Sequence, residues 1–445
     1  MDIIGLIPSF GGLLYTIGAF VIALSVIVAV HEYGHYIVGR WSGIKAEVFS
    51  IGFGPVLYAR TDRHGTVWQI AALPFGGYVK FLGDANAVSD KASDDFAQMD
   101  TETQRHTMHG APLWARAATV AAGPVFNFIL SILVFSAILL SQGVASDPLT
   151  IAELRPMPGA AQELRAGDEL LSIAGVPTPK VDEFDGFVDA LPVAPMLDYT
   201  LRRDGQTINL RAPYPYPPLV TGLTPGSAAM DADLQVGDVI LSVDDRPVSA
   251  FSELRDAVAD SGGRALQLEV WRESGAFEVA LTPRSMDLPR PDGSFETRYL
   301  IGITGGLFFA PATETPGVLT SLSYGANQTF YIARSSLSGL YHMAVGAISA
   351  CNLRGPIGIA ETSGAAASQG WTSFIWFIAV LSTAVGLLNL FPIPVLDGGH
   401  LVFHAYEALA GKPPSDKALR ILMAVGLAML LTLMAFALTN DLFCP

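Results

Sequence analysis

Long apolar runs alternate with polar stretches along this chain, and the run lengths predict its main elements. A hydrocarbon layer about 30 Å thick is crossed by roughly 20 apolar residues in a helix. No charged side chain occurs from Gly11 to Val30, and apolar character resumes at Tyr36 beyond an interruption at His31 to His35, which predicts a first span over 11–38. No Lys or Arg precedes this run, and it is too long for a cleavable signal segment. Further spans are predicted over 116–141, 371–397 and 418–440. Val318 to Ala350 is also apolar, but Ser, Asn, Gln, Arg334 and His342 interrupt it, so it reads as an interfacial or bundle-packed helix within a linker over 291–370. Between Asp147 and Pro289 the pattern changes to strand-like alternation and repeats itself. Pro158-Gly159-Ala160-Ala161 before Ala166-Gly167-Asp168-Glu169-Leu170-Leu171-Ser172-Ile173 returns as Pro225-Gly226-Ser227-Ala228-Ala229 before Val236-Gly237-Asp238-Val239-Ile240-Leu241-Ser242-Val243. Each copy closes on a short helical pattern, Val181 to Leu191 and Ser252 to Val258, so two related α+β modules are predicted over 147–215 and 216–290. The fold class is therefore a polytopic α-helical membrane protein with four spans and a pair of α+β domains.

Composition agrees with that class. Of 445 residues, 51% are hydrophobic and 15% charged, where soluble domains carry about 25% charge. A net charge of -15 argues against a nucleic-acid partner, whose phosphates need a basic surface. The two cysteines, Cys351 and Cys444, have no partner nearby in sequence; they exclude a disulfide-built scaffold and a multi-cysteine zinc site. Any metal must be held by His, Asp or Glu.

Short basic loops mark the cytoplasmic side. The 41–115 loop and its edges carry Arg40, Lys45, Arg60, Arg63, Lys80, Lys91, Arg105 and Arg116, and the last loop carries Lys412, Lys417 and Arg420. Both are expected inside, which puts both termini and the stretch from Gln142 to Trp371 outside, in a bacterium the periplasm. His31 to His35 and Asn389 to Asp397 then share a depth at the cytoplasmic ends of their spans.

His31-Glu32-Tyr33-Gly34-His35 is the segment that carries chemistry. Residues four apart share a helix face, so both imidazoles reach one Zn²⁺, and Glu32 beside the first is placed to take a proton from water. Ionisable groups inside an apolar run are costly to insert and are read as functional. A catalytic zinc keeps three protein ligands and an open position. Asn389-Leu390-Phe391-Pro392-Ile393-Pro394-Val395-Leu396-Asp397-Gly398-Gly399 offers the third ligand: its prolines break the helix, and irregular backbone at membrane depth is tolerated where it is buried or lines a wet cavity. Asp397 as a helix cap is the plainer alternative. His400 and His404 repeat the four-residue spacing without a following Glu and read as decoys; His106 and His109 read as solvated.

The pairing of H-E-x-x-H in the first span with N-x-x-P-x-P-x-L-D-G-G in a late span resembles the site-2 proteases, intramembrane zinc metalloproteases, over essentially the full chain. The resemblance implies one Zn²⁺ held by His31, His35 and Asp397, Glu32 as general base, and Asn389 contacting substrate or stabilising the transition state. It implies that Leu73 to Lys80, with Gly76, Gly77 and Tyr78, forms a membrane-associated β-hairpin whose edge pairs with substrate, and that Pro392 and Pro394 also bind substrate; an ordinary surface hairpin is the alternative. Ala122-Gly123-Pro124-Val125-Phe126-Asn127 also fits the family, with Asn127 expected to bond to the bundle. The repeats resemble PDZ domains in tandem, modules that add an extended peptide to a sheet edge. Implied partners are the lipid bilayer of the inner membrane and a single-pass membrane substrate, an anti-sigma factor already trimmed in the periplasm, or remnant signal peptides. The residues alone also admit a non-enzymatic membrane scaffold with a structural zinc, or a transporter.

Overall fold

A computed structural model describes residues 7–444 apart from 87–88, 93–98, 160–162, 181–182, 225, 274 and 291–293; the repeat positions Ala160, Ala161, Val181 and Pro225 lie outside the described residues. The chain forms two compact units, one made of residues up to Ile138 with Leu319–Ala344 and Ala350–Pro445, the other of Leu139–Val318 with Val345–Ser349. The first unit opens with α1 (Ile7–Trp41), the antiparallel hairpin β1 (Ala46–Thr61) and β2 (Val67–Phe81), α2 (Thr101–Arg105) and α3 (Leu113–Gln142). Tyr36 of α1, Phe49 of β1 and Trp68 and Phe81 of β2 pack the hairpin base onto α1. Its outer part exposes Val56, Leu57, Tyr58, Ile70 and Leu73.

In the second unit each repeat builds a four-stranded antiparallel sheet, one from 206–213, 196–203, 169–173 and 176–177, the other from 246–247, 239–243, 266–272 and 275–281. The helices are α4 (Phe184–Asp189), α5 (Ala228–Asp231) and α6 (Phe251–Asp260). The repeated Gly-Asp word has a structural role. Asp168 is held by Arg203 at 2.7 Å and Asp238 by Arg272 at 2.7 Å, so each fully buried carboxylate is neutralised in place. The expected linker after residue 290 differs from the structure. Phe295–Leu300 pairs with Arg284–Pro289, and Ile303–Thr304 pairs with Gly222–Leu223 of the second repeat. Phe309–Pro311 then returns to pair with Ile151–Leu154, and buried Phe308 and Phe309 complete the first repeat's core. The second repeat is thus inserted within the first. Local alternation does not reveal a strand partner some 150 residues distant.

The chain continues with α7 (Val318–Ala344), α8 (Pro356–Ser368), α9 (Trp371–Asn389), α10 (Asp397–Ala410) and α11 (Asp416–Phe443). Gly12–Trp41 and helices α3, α9 and α11 are long and apolar enough to cross a membrane. The span expected over 371–397 stops at Asn389: Pro392 and Pro394 lack amide donors, so the chain runs irregularly to Leu396 before α10 begins at Asp397. Helix α7 buries Ser321, Gly325 and Thr329, four apart, and Gly325 meets α3 at Ile132 and Ser136. Helix α8, too short for the span pattern to predict, lies on α1, where Gly364 approaches Thr16. Ala19, Ala23 and Ile27 of α1 close on Phe374 and Ile378 of α9. A disulfide joins Cys351 to Cys444, and Asp441 of α11 accepts the amides of Gly355 and Ile357 at the start of α8. The cysteines are partners across 93 residues.

Candidate metal centre

Helix α1 presents His31 and His35 on one face, and α3 is shaped to receive them. Residues 119, 123 and 127 of α3 fall four apart on a single stripe. Thr119 accepts a hydrogen bond from His35 Nδ1 through its backbone oxygen at 2.8 Å. Gly123 leaves the gap the rings occupy, since a Cβ there would lie 2.8 Å from His31 Cε1 and closer still to His35. Gly34 does the same from the other side: a Cβ would lie 2.9 Å from Phe126 Cβ. With its Nδ1 proton on Thr119, His35 turns the lone pair of Nε2 inward.

Asp397 meets them from α10. Its Oδ2 lies 3.2 Å from His31 Nε2 and 3.6 Å from His35 Nε2, and the two imidazole nitrogens are 3.1 Å apart. Ligands held about 2.0 to 2.1 Å from a tetrahedral ion stand about 3.3 Å from one another, so the triangle has the size of one zinc coordination face. Oδ2 is buried and has no hydrogen-bond partner among the described residues. A carboxylate oxygen facing two ring nitrogens and no donor is satisfied by a cation, so the residues fit the metal. Among the described residues this is the one cluster of three such side chains able to hold an ion. Gly398 and Gly399 let the 390–396 segment fold tightly over the start of α10, because a Cβ on either would strike the carbonyls of Leu390 or Ile393. At the far end of the contact Arg116 of α3 grips Glu407 of α10 through two bonds, 2.6 and 3.0 Å, which fixes the helix carrying Asp397.

A cavity of about 430 Å³ opens on this cluster and is lined by Glu32, Gly77, Tyr78 and Asn389 among others. The Glu32 carboxylate accepts a hydrogen bond from the Val79 backbone, and a Cβ on Gly77 would lie 3.1 Å from Glu32 Cγ, so β2 passes directly over the carboxylate. Asn389 ends α9 beside the same space. Gly76 sits one residue away against the Phe53 ring. Pro392 and Pro394 are not among the described residues lining the cavity; Pro394 packs on Gly426 of α11 instead. His109, expected in solvent, lines the cavity with its Nε2 3.6 Å from Asp84, because the polar loop folds back under the hairpin. His400 and His404 line it too, outside the cluster of His31, His35 and Asp397. Sequence reasoning missed Thr119 as a partner of the site; the four-residue spacing with Gly123 and Asn127 was the available signal.

The sequence profile of peptidase family M50 matches residues 19–433. A protein of Rhizobium meliloti (strain 1021) named as a candidate zinc metalloprotease is 36% identical over 435 residues, 96% of each chain. The regulator of sigma-E protease RseP of Salmonella typhimurium (strain 14028s / SGSC 2262) is 33% identical over 461 residues, covering 96% of this chain and 98% of the other. The regulator of sigma E protease of Salmonella typhi matches to the same extent.

Proposed function

The chain belongs to peptidase family M50, the site-2 proteases, and on that premise we propose that it cuts single-pass membrane proteins at the cluster of His31, Glu32, His35, Asn389 and Asp397. It is a zinc metalloprotease of the membrane, with four helices among the described residues long and apolar enough to span the bilayer. In the proposal His31, His35 and Asp397 hold one zinc per chain. The observation that supports this most is their triangle of 3.1, 3.2 and 3.6 Å closing on a buried carboxylate oxygen that no donor satisfies. Bound there, zinc supplies Lewis acidity toward water and toward the scissile carbonyl. Glu32 takes the proton of the attacking water and later returns it to the leaving amide nitrogen. Asn389 donates its side-chain amide to the oxyanion. A helical substrate has no free amides, so it unwinds first, and Gly76, Gly77 and Tyr78 of β2 offer it a strand edge. Pro392 and Pro394 serve by shaping the segment that delivers Asp397.

The basic loops at 41–115 and 411–417 favour the inner side of the bacterial inner membrane for the catalytic cluster. The Cys351–Cys444 disulfide supports an oxidising periplasm for the other face. In the proposal the nested repeats are PDZ-like domains in that compartment. A groove of about 820 Å³ between α6 and the segment 300–303 of the second repeat supports binding of an extended tail. The Salmonella relatives are named as sigma-E regulator proteases, which supports a membrane substrate in a sigma-factor pathway; in the proposal that substrate is an anti-sigma-factor-like protein already trimmed in the periplasm, with remnant signal peptides as a second class.

The test is cleavage of a single-pass test substrate by the purified full-length protein, with metal analysis of the same sample. Wild type is expected to cleave it and to carry one zinc. Glu32→Gln is expected to keep the zinc and lose at least about 100-fold in rate. Undiminished cleavage by Glu32→Gln would remove the base from the proposal.

A further inference from the structure

We propose that Asn127 is a positioning residue of the metal centre, accepting the Nδ1 proton of His31 so that its Nε2 faces the ion. The inference rests on His31, His35 and Asp397 being the ligands. Asn127 is fully buried on α3, and its side-chain amide nitrogen lies 3.2 Å from His31 Nδ1. Its amide oxygen is buried too and has no hydrogen-bond partner among the described residues. A neutral imidazole that ligates through Nε2 carries its single proton on Nδ1 and must donate from there. Facing that N–H, the amide NH₂ would set donor against donor. A half turn of the amide exchanges its two ends, gives the orphaned oxygen a partner and satisfies the ring.

The arrangement then matches the one already present at His35, whose Nδ1 donates to Thr119. Two acceptors eight residues apart on α3 thus hold the two imidazoles, with Gly123 midway leaving them room. Asn127 is itself fixed. Its backbone oxygen accepts the hydroxyls of Ser131 and Ser382, each at 3.0 Å, and a Cβ on Gly386 of α9 would lie 3.1 Å from Asn127 Cβ. Partners of this kind orient a metal-ligating histidine, and removing one typically weakens metal binding about 10- to 100-fold.

The experiment measures zinc affinity of the full-length protein by chelator competition in a Glu32→Gln background, so that turnover plays no part. Asn127→Leu is expected to bind zinc about 10- to 100-fold more weakly. Asn127→Asp, whose carboxylate also accepts from the ring, is expected to stay within about threefold of the parent. His31→Ala is expected to lose the metal altogether, which checks the ligand assignment separately. Unchanged affinity in Asn127→Leu with loss in His31→Ala would overturn the role of Asn127 and leave the ligands standing. Equal weakening in Asn127→Leu and Asn127→Asp would also overturn it, since packing alone would then account for both. Zinc retained by His31→Ala would overturn the ligand assignment and this inference with it.

Discussion

Gly123 shows how little room the site allows. A methyl group there would come within 2.8 Å of His31 and nearer to His35, so one ring or the helix must move. Gly123→Ala is therefore expected to lower zinc content in the purified protein at least about tenfold, as displaced ligands do; full occupancy would show that the helices have slack. The proposed ligand pair and base stand together in the sequence as five consecutive residues, His31 to His35, because helical spacing alone puts both imidazoles on one face. Asp397 was legible as a carboxylate ending an apolar run. Thr119 was not, because it serves through a backbone oxygen that every residue possesses. Asn127 was visible as a buried amide, but an Asn within a span bonds as readily to a neighbouring helix as to a histidine.

The β1–β2 hairpin bears on the site through its base. Asp62 at its turn accepts from the Trp68 indole at 3.0 Å, the His64 and Thr66 amides at 2.8 and 3.0 Å, and the Tyr36 hydroxyl of α1 at 3.2 Å. Burial pushes the Asp62 carboxyl up, but these donors outweigh it and hold it at about 2, below the ordinary 3.8. A carboxylate lowered by folding stabilises the fold above its unfolded value and loses that contribution as pH falls through the folded one. Thermal unfolding is therefore expected to show a wild-type advantage over Asp62→Asn that is constant above about pH 5 and shrinks toward pH 2. An advantage that grew on acidification would contradict the hydrogen bonding described. Gly76-Gly77 read as a turn, but both glycines fall inside β2 and the hairpin turns at Asp62 to Thr66 instead, so only the strand at Tyr78 and Val79 was legible; the break before Asp397 was legible from its two prolines. Helix α8 was not, since its Gly- and Ala-rich face carries meaning only against Thr16 of α1.

Long-range pairings within each unit complete the structure. Phe309 closes on Leu154, Cys351 on Cys444, and Arg116 on Glu407 across 291 residues. None of these has a local signature, whereas four apolar runs and a repeated Gly-Asp word announce themselves locally, which is why class and repeats were legible and the nesting was not. The proposed metal centre likewise joins residues far apart in the chain, two imidazoles of α1 and a carboxylate of α10 on one ion. Zinc K-edge X-ray absorption of the purified full-length protein, beside Asp397→Ala, tests it most directly. The expected result is one zinc with imidazole nitrogens and a carboxylate oxygen at about 2.0 to 2.2 Å, no sulfur, and at least about tenfold less zinc in Asp397→Ala. A sulfur shell, or an Asp397→Ala spectrum identical to wild type at full occupancy, would contradict it.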